Sequence, residues 1–295
     1  MPAAQAVLNP APRALLQYNR LGPVLGAEVS GLDLKAPLDE ATVQELRDAL
    51  YEHKVLVIRN QDVTYDEHIR FGRYFGELEG HPVTTHVPDY PEILHIEAGD
   101  GLKLTDALLP WIRPGNKWHT DVTFREKPSL AGVLRARKLP QIGGDTLFAD
   151  TAAVFNDLPP NVQARLETLE AEHDIIHSFG WRITDEKREE LRKEYPPQIH
   201  PVVRRHPVTG EKHLFVNFVF TTRIIGLSED ESRELLNYLY DRVKVPEYQV
   251  RVKWSPNTIT VWDNMATQHY AILDYWPAER VMERVTVAGF DRPGR

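Results

Sequence analysis

Hydrophobic positions along the chain follow two periods. In "PLDEATVQELRDALYEHK" (37–54), Val43, Leu46 and Leu50 recur at helical spacing, which predicts a helix with one buried stripe. "KVLVIRN" follows as a short buried strand. "TYDEHIRFGRYFG" (64–76) pairs Thr64 with Glu67 in capping-box spacing and offers Gly76 as a stop, predicting a second helix.

Downstream the strand signal dominates. "EILHIEA" (92–98), "HTDVTF" (119–124), "SLAGVLRARK" (129–138) and "HLFVNFVF" (213–220) are short and rich in β-branched and aromatic residues. "YQVRVKW" (248–254), "TITVWDN" (258–264) and "RVMERVTVAGF" (280–290) continue the series. Helical material interrupts it in "PNVQARLETLEAEH" (160–173), in the charged "TDEKREELRKEY" (184–195) and in "SEDESRELLNYLYDRV" (228–243), which opens on a Ser228/Glu231 capping box. Strands with one helical insertion and no regular βαβ alternation predict a mainly β jelly roll with helical insertions. No linker-like break divides the chain. A single domain over 16–295 is expected, preceded by a disordered Ala/Pro-rich tail over 1–15.

Composition narrows the chemistry. The 295 residues include 35 Lys and Arg against 43 Asp and Glu, a formal charge of −8. That balance gives no basic footprint for nucleic acid or an anionic membrane, although a local anion site is compatible with it. Cysteine is absent, which removes disulfides, iron–sulfur ligation and thiol nucleophiles, so a metal must be held by histidine, carboxylate or carbonyl groups. No apolar run reaches the length of a membrane span, and a cytoplasmic protein is the expectation.

Against that background "WHTDVTF" (118–124) is unusual. If it is a strand, His119 and Asp121 face one side while Trp118, Thr120 and Val122 face the other. The pair could be a buried hydrogen-bonded couple or two metal ligands. A second imidazole, His269, lies downstream in "VWDNMATQHYA", after a strand ending at Trp262-Asp263-Asn264. Two nitrogens and one carboxylate on one face of a metal form the ligand set of a non-heme Fe(II) oxygenase, with three adjacent positions left open. Arg280 and Arg284 share one face of the last strand with Met282 and Thr286, roughly 13 Å apart at about 3.3 Å per residue. They could hold two different anions or lie solvated on an outer face. Val281, Glu283, Val285 and Val287 form the alternate row, where Glu283 disturbs an otherwise apolar side. His173 and His177, four apart, read as structural.

"WHTDVTF", "GGDTLF" (143–148), "WDNMATQHYA" (262–271) and Arg280 together resemble the TauD/TfdA family of Fe(II)/2-oxoglutarate-dependent dioxygenases, most of all its taurine dioxygenases. The likeness extends from "LGPVLGAEVSGLDL" to "VMERVTVAGF" and includes "HPVVRRHPVTGEKHLFVN". It implies a double-stranded β-helix in which His119, Asp121 and His269 bind Fe(II), while Thr146 and Arg280 bind 2-oxoglutarate. Arg284 and His81 would hold the substrate anion, with Val122, Ser178, Phe179 and Phe220 lining its pocket. The implied reaction uses O₂ to hydroxylate the carbon beside a sulfonate. It releases sulfite and an aldehyde, with succinate and CO₂ from 2-oxoglutarate. Relatives of this kind form homo-oligomers.

Two positions depart from the taurine dioxygenase pattern: Thr84 stands where a tyrosine is usual, and Gly115 where an asparagine is usual. The stretch 99–117 is also longer and carries Leu104, Leu108, Leu109 and Trp111, as either a lid or a packed surface loop. An alkyl sulfate ester or an aryloxyalkanoate is the alternative substrate. A zinc hydrolase using the same donors and a non-catalytic jelly-roll binding protein are the rival classes. The hydrolase leaves Arg280 and "GGDT" without a purpose, and nothing in a binding protein requires a complete open iron triad.

Overall fold

The computed structural model describes residues 16–82, 84–98, 116–180 and 183–295; of Ala98 and Phe179 it describes the backbone alone. The first strands and helices are β1 (Gln17–Arg20), β2 (Ala27–Ser30), α1 (Glu40–His53), β3 (Val55–Ile58) and α2 (Tyr65–Arg73). Next come β4 (Leu78–Glu79), β5 (His86–Val87), β6 (Tyr90–Ala98), β7 (Ala131–Lys138) and β8 (Thr146–Asp150). The insertion contains α3 (Thr151–Asn156), α4 (Pro160–Leu166), β9 (Glu170–His173), α5 (Ile175–Phe179) and α6 (Asp185–Glu194). It continues through β10 (Gln198–Pro201), β11 (Val203–Arg205), β12 (Lys212–Leu214), β13 (Thr221–Ile224) and α7 (Glu229–Val243). The chain closes with β14 (Gln249–Val252), β15 (Ile259–Asp263), β16 (Thr267–Ala271) and β17 (Arg280–Val287).

Two sheets face each other as in the expected jelly roll. The larger runs β1-β2-β3-β15-β7-β17-β6-β5, with β4 also on β17; the smaller runs β14-β8-β16. Pairing is antiparallel except between β2 and β3. One core lies between the sheets, where Val55, Val57, Leu134, Trp262 and Met282 meet Phe148, Val250 and Val252. A second lies under α1 and α2, against Leu56, Ile58, Val261, Val285 and Val287. A third packs α3, α4 and α7 on the outer side of the smaller sheet. Strands β3, β7, β15 and β17 are therefore buried on both faces, which is why they read as continuous apolar runs. Glu283, the exception on β17, is buried within ion-pair reach of Arg137 at 3.4 Å and Arg135 at 3.8 Å.

The predicted helix ends are present. Thr64 and Ser228 each form a complete capping box, and Asp39 caps α1. Three strand and helix expectations need correction. "HTDVTF" is not a strand: only His119 makes a bridge, to His269, and 121–124 form a turn. "HLFVNFVF" stops as a strand at Leu214, because the Asn217 side chain accepts the Val219 and Phe220 amides and closes a turn. The predicted helix over 160–173 ends at Leu166, and Glu170–His173 becomes β9, paired between β10 and β13. His269 follows strand β15, which ends at Asp263 as expected, and itself lies within a further strand, β16.

Candidate active site

His119, Asp121 and His269 converge between the two sheets. All three are buried, and one donor atom from each lies within 4.8 Å of the others. His119 Nε2 is 3.7 Å from Asp121 Oδ1, and His269 Nε2 is 3.8 Å from Asp121 Oδ2. His119 Nδ1 donates to the Lys117 carbonyl at 2.7 Å, which leaves Nε2 as a bare lone pair. Burial keeps both imidazoles below their ordinary value, hence neutral, as metal ligands must be. Burial alone would raise the Asp121 carboxyl, but the Arg284 guanidinium, helped by His269 and His119, holds it well below the usual carboxylate range. Two neutral nitrogens and one carboxylate oxygen fit a divalent transition metal.

The local chain does not supply this geometry unaided. His119 and His269 exchange backbone hydrogen bonds of 3.1 and 2.8 Å, joining the segment to β16. The Asn264 amide accepts the Asp121 N–H at 2.9 Å and donates to the Asp121 and Ser129 carbonyls at 3.1 and 3.0 Å. That clamp replaces a strand neighbour and lets Val122 turn away at φ 47°. The His269 ring packs against Trp262 at 5.0 Å and Phe148 at 5.9 Å between centroids.

Arg280 opens β17, four residues before Arg284. Its Nε donates to the Gly144 carbonyl at 3.0 Å, and its guanidinium faces the Trp254 and Tyr275 rings at 6.0 and 5.9 Å. Nη2 is buried with no protein partner among the described residues. Trp254 Nε1 donates to Thr146 Oγ1 at 3.0 Å, so the hydroxyl hydrogen is left to point elsewhere. An orphan guanidinium N–H near a free hydroxyl hydrogen suits a carboxylate.

Arg284, on the same strand face, donates from Nη1 to Asp121 Oδ2 at 2.7 Å, while its buried Nε has no partner among the described residues. His81 lies in the same electrostatic neighbourhood, its imidazole pushed down to about 3 by burial and then by Arg284. Its ring meets Phe124 edge-on at 6.3 Å. Phe124 in turn packs on Phe220 and shares a core with Val122 and Val219. Ser178 donates its hydroxyl hydrogen to the Val219 carbonyl. Thr84 Oγ1 is buried without a partner among the described residues. Gly115, the 99–115 part of the long loop and the Phe179 side chain lie outside what the structure describes.

Sequence reasoning missed Asn264, Trp254 and Gly144 as supports. All three stand in or beside motifs that drew attention for other reasons. It read His173 as structural and gave His200 no partner. His173 Nδ1 meets Thr123 Oγ1 at 2.9 Å, and His200 Nε2 meets the Thr123 and Arg125 carbonyls at 3.0 Å, bracing the turn behind Asp121. Burial pushes His200 down to about 4 and His68 to about 3, from 6.5. The unfolded chain therefore binds protons that the native state excludes, and stability falls as pH drops below 6.5. His200 alone should cost about 2 kcal/mol between pH 7.5 and 5, read from urea midpoints at constant slope. Equal stability at both values would remove the buried neutral imidazoles as the cause.

The profile described as "Taurine catabolism dioxygenase TauD, TfdA family" matches residues 17–286. The chain belongs to the TauD/TfdA family. An alkylsulfatase of Acinetobacter baylyi is 36% identical over 287 residues, covering 94% of this chain and 86% of the relative. An alpha-ketoglutarate-dependent sulfate ester dioxygenase of Pseudomonas putida is 35% identical, covering 97% and 94%. A taurine dioxygenase structure from Burkholderia xenovorans superposes with TM-score 0.78 at 34% identity, covering 93% and 89%. As a TauD/TfdA member the protein is an Fe(II)/2-oxoglutarate-dependent dioxygenase that uses O₂, and the hydrolase and binding-protein alternatives fall away. Among the described residues no helix is long and apolar enough to cross a membrane.

Proposed function

We infer that the protein hydroxylates the carbon next to the sulfur-bearing anion of a small organic substrate. A taurine-like organosulfonate is the first reading. The observation that carries this is the pair of buried arginines four residues apart on β17, Arg284 bonded to Asp121 and Arg280 to the Gly144 carbonyl. Each retains a buried N–H without a partner among the described residues.

In this reading His119 Nε2, one Asp121 oxygen and His269 Nε2 hold Fe(II). The iron, when bound, supplies the coupling of O₂ reduction to the oxidation of 2-oxoglutarate and substrate. Arg280 grips the distal carboxylate of 2-oxoglutarate by charge-assisted hydrogen bonds, and the Thr146 hydroxyl donates to the same co-substrate. Arg284, with neutral His81 beside it, holds the substrate anion and so fixes which C–H bond faces the metal. Val122, Phe124 and Phe220 form an apolar wall that excludes water from that carbon.

A sulfate ester is the second reading. The apolar wall favours an uncharged alkyl tail, and both head groups offer Arg284 the same oxygens. Aryloxyalkanoates are a third class of anion for the panel. Hydroxylation beside a sulfonate releases sulfite and an aldehyde, whereas hydroxylation of the ester carbon releases sulfate and an aldehyde.

Arg284→Ala should raise KM for the organic anion roughly 10- to 100-fold, matching a charge-assisted bond of about 1.5–3 kcal/mol, with a smaller effect on 2-oxoglutarate. Arg280→Ala should do the reverse. Succinate, sulfite and sulfate release across a panel of sulfonates and sulfate esters reads both. Equal losses for both ligands in each variant would overturn this division of roles.

A further inference from the structure

The loop between β16 and β17 and the first residue of β17 grip the glycine turn before β8 at two points. Asp274 Oδ1 accepts the Gly144 N–H at 2.7 Å. The carbonyl of the same glycine accepts Arg280 Nε at 3.0 Å. Both polar backbone atoms of one residue are thus held by side chains six positions apart, one on the loop and one at the start of β17. Gly143 and Gly144 have φ of 86° and 76°, a conformation that side chains resist. A Cβ on Gly143 would lie 2.5 Å from Asp274 Oδ1, and one on Gly144 would lie 3.0 Å from Arg280 Cδ. The turn is bare where these two side chains close on it.

The grip is reinforced from β14. Arg251 Nε pairs with Asp145 Oδ2 at 2.7 Å, and its Nη2 lies 3.8 Å from Asp274 Oδ2. The Ile272 N–H donates to the Asp145 carbonyl at 2.9 Å. The Asp274 side chain is 45% exposed, so packing does not explain its placement. What it does is hold a pliable Gly-Gly turn against the guanidinium of Arg280.

We propose that Asp274 is a positioning residue for 2-oxoglutarate, acting through Gly144 to fix the Arg280 guanidinium. Without it the glycine turn relaxes, Arg280 loses its Nε acceptor, and the fork that meets the carboxylate is no longer set in advance. This rests on the reading that Arg280 binds 2-oxoglutarate.

The test uses full-length protein loaded with Fe(II) under anaerobic conditions, as wild type, Asp274→Ala, Asp274→Asn and Arg280→Ala. Titration with 2-oxoglutarate follows the fluorescence of Trp254, which lies against Arg280. Aerobic assays then give KM and kcat. Asp274→Ala should weaken 2-oxoglutarate binding roughly tenfold, leaving kcat at saturation within about twofold and KM for the organic anion unchanged. Asp274→Asn keeps a carbonyl acceptor and should recover most of the affinity. If Arg280→Ala weakens 2-oxoglutarate and Asp274→Ala does not, the proposal fails while the assignment of Arg280 stands. If Arg280→Ala leaves binding unchanged, that assignment itself is wrong. A uniform loss of kcat and of affinity for both ligands in Asp274→Ala, without recovery in Asp274→Asn, would reduce Asp274 to a structural residue.

Discussion

Asp121→Ala is expected to abolish Fe(II) binding and turnover and also to destabilise the metal-free protein by about 3–5 kcal/mol. The second effect follows from Arg284. Both side chains of the pair are at least nine-tenths buried and lie 2.7 Å apart. Removing the carboxylate strands a buried guanidinium, which costs more than the pair contributes. Anaerobic metal titration and urea unfolding read the two effects separately. The double variant Asp121→Ala/Arg284→Met should regain most of the stability and none of the metal affinity. A single variant that unfolds at the wild-type midpoint would show that Arg284 does not depend on Asp121.

Gly132→Ala should be nearly as damaging, although it adds one methyl group outside the donor set. A Cβ at 132 would fall 2.2 Å from Trp262 Cζ2 and 2.4 Å from Cη2. Gly132 is the cross-strand partner of Trp262, and the indole lies over the bare position. The indole is itself buried against Phe148 and His269, so it cannot yield without moving one of them. A loss of about 3 kcal/mol is expected, at the upper end for overpacking. A fall in metal affinity of roughly tenfold should accompany it as His269 shifts. Trp262→Phe in the same chain should relieve part of both losses. Unchanged urea and metal titrations for Gly132→Ala would refute the contact.

Much of the architecture was legible because it depends on local signals. Thr64 with Glu67 and Ser228 with Glu231 announce helix starts that the structure reproduces as full capping boxes. Val55–Ile58 and Ile259–Asp263 read as buried strands because both their faces are covered. The failures share a different cause. At Asp121 the backbone is held by Asn264, 143 residues away, so a β-rich run becomes a turn. At 170–173, pairing with β10 and β13 overrides a helical pattern.

The candidate site divides the same way. The donor residues were visible as residue types at suggestive positions. Their supports act through long-range contacts that no local pattern reveals: the Asn264 amide holds the Asp121 backbone, the Trp254 indole meets Thr146, and Gly144 offers its own backbone to Asp274 and Arg280. Ser178 entered as a pocket-lining residue through the family resemblance, and its bond to the Val219 carbonyl is visible only in the fold.

Strand β17 carries Arg280 and Arg284 on one continuous run that pairs with β6 without a break in register from 280 to 285. Inserting or deleting one residue there would turn every side chain beyond it to the opposite face. Arg284 would leave the face that meets Asp121, and Glu283 or Val285, now buried on the opposite face, would take its place. A substitution in this strand changes one side chain, whereas a change of its length redirects all that follow. Its length is the fixed gauge that sets both arginines.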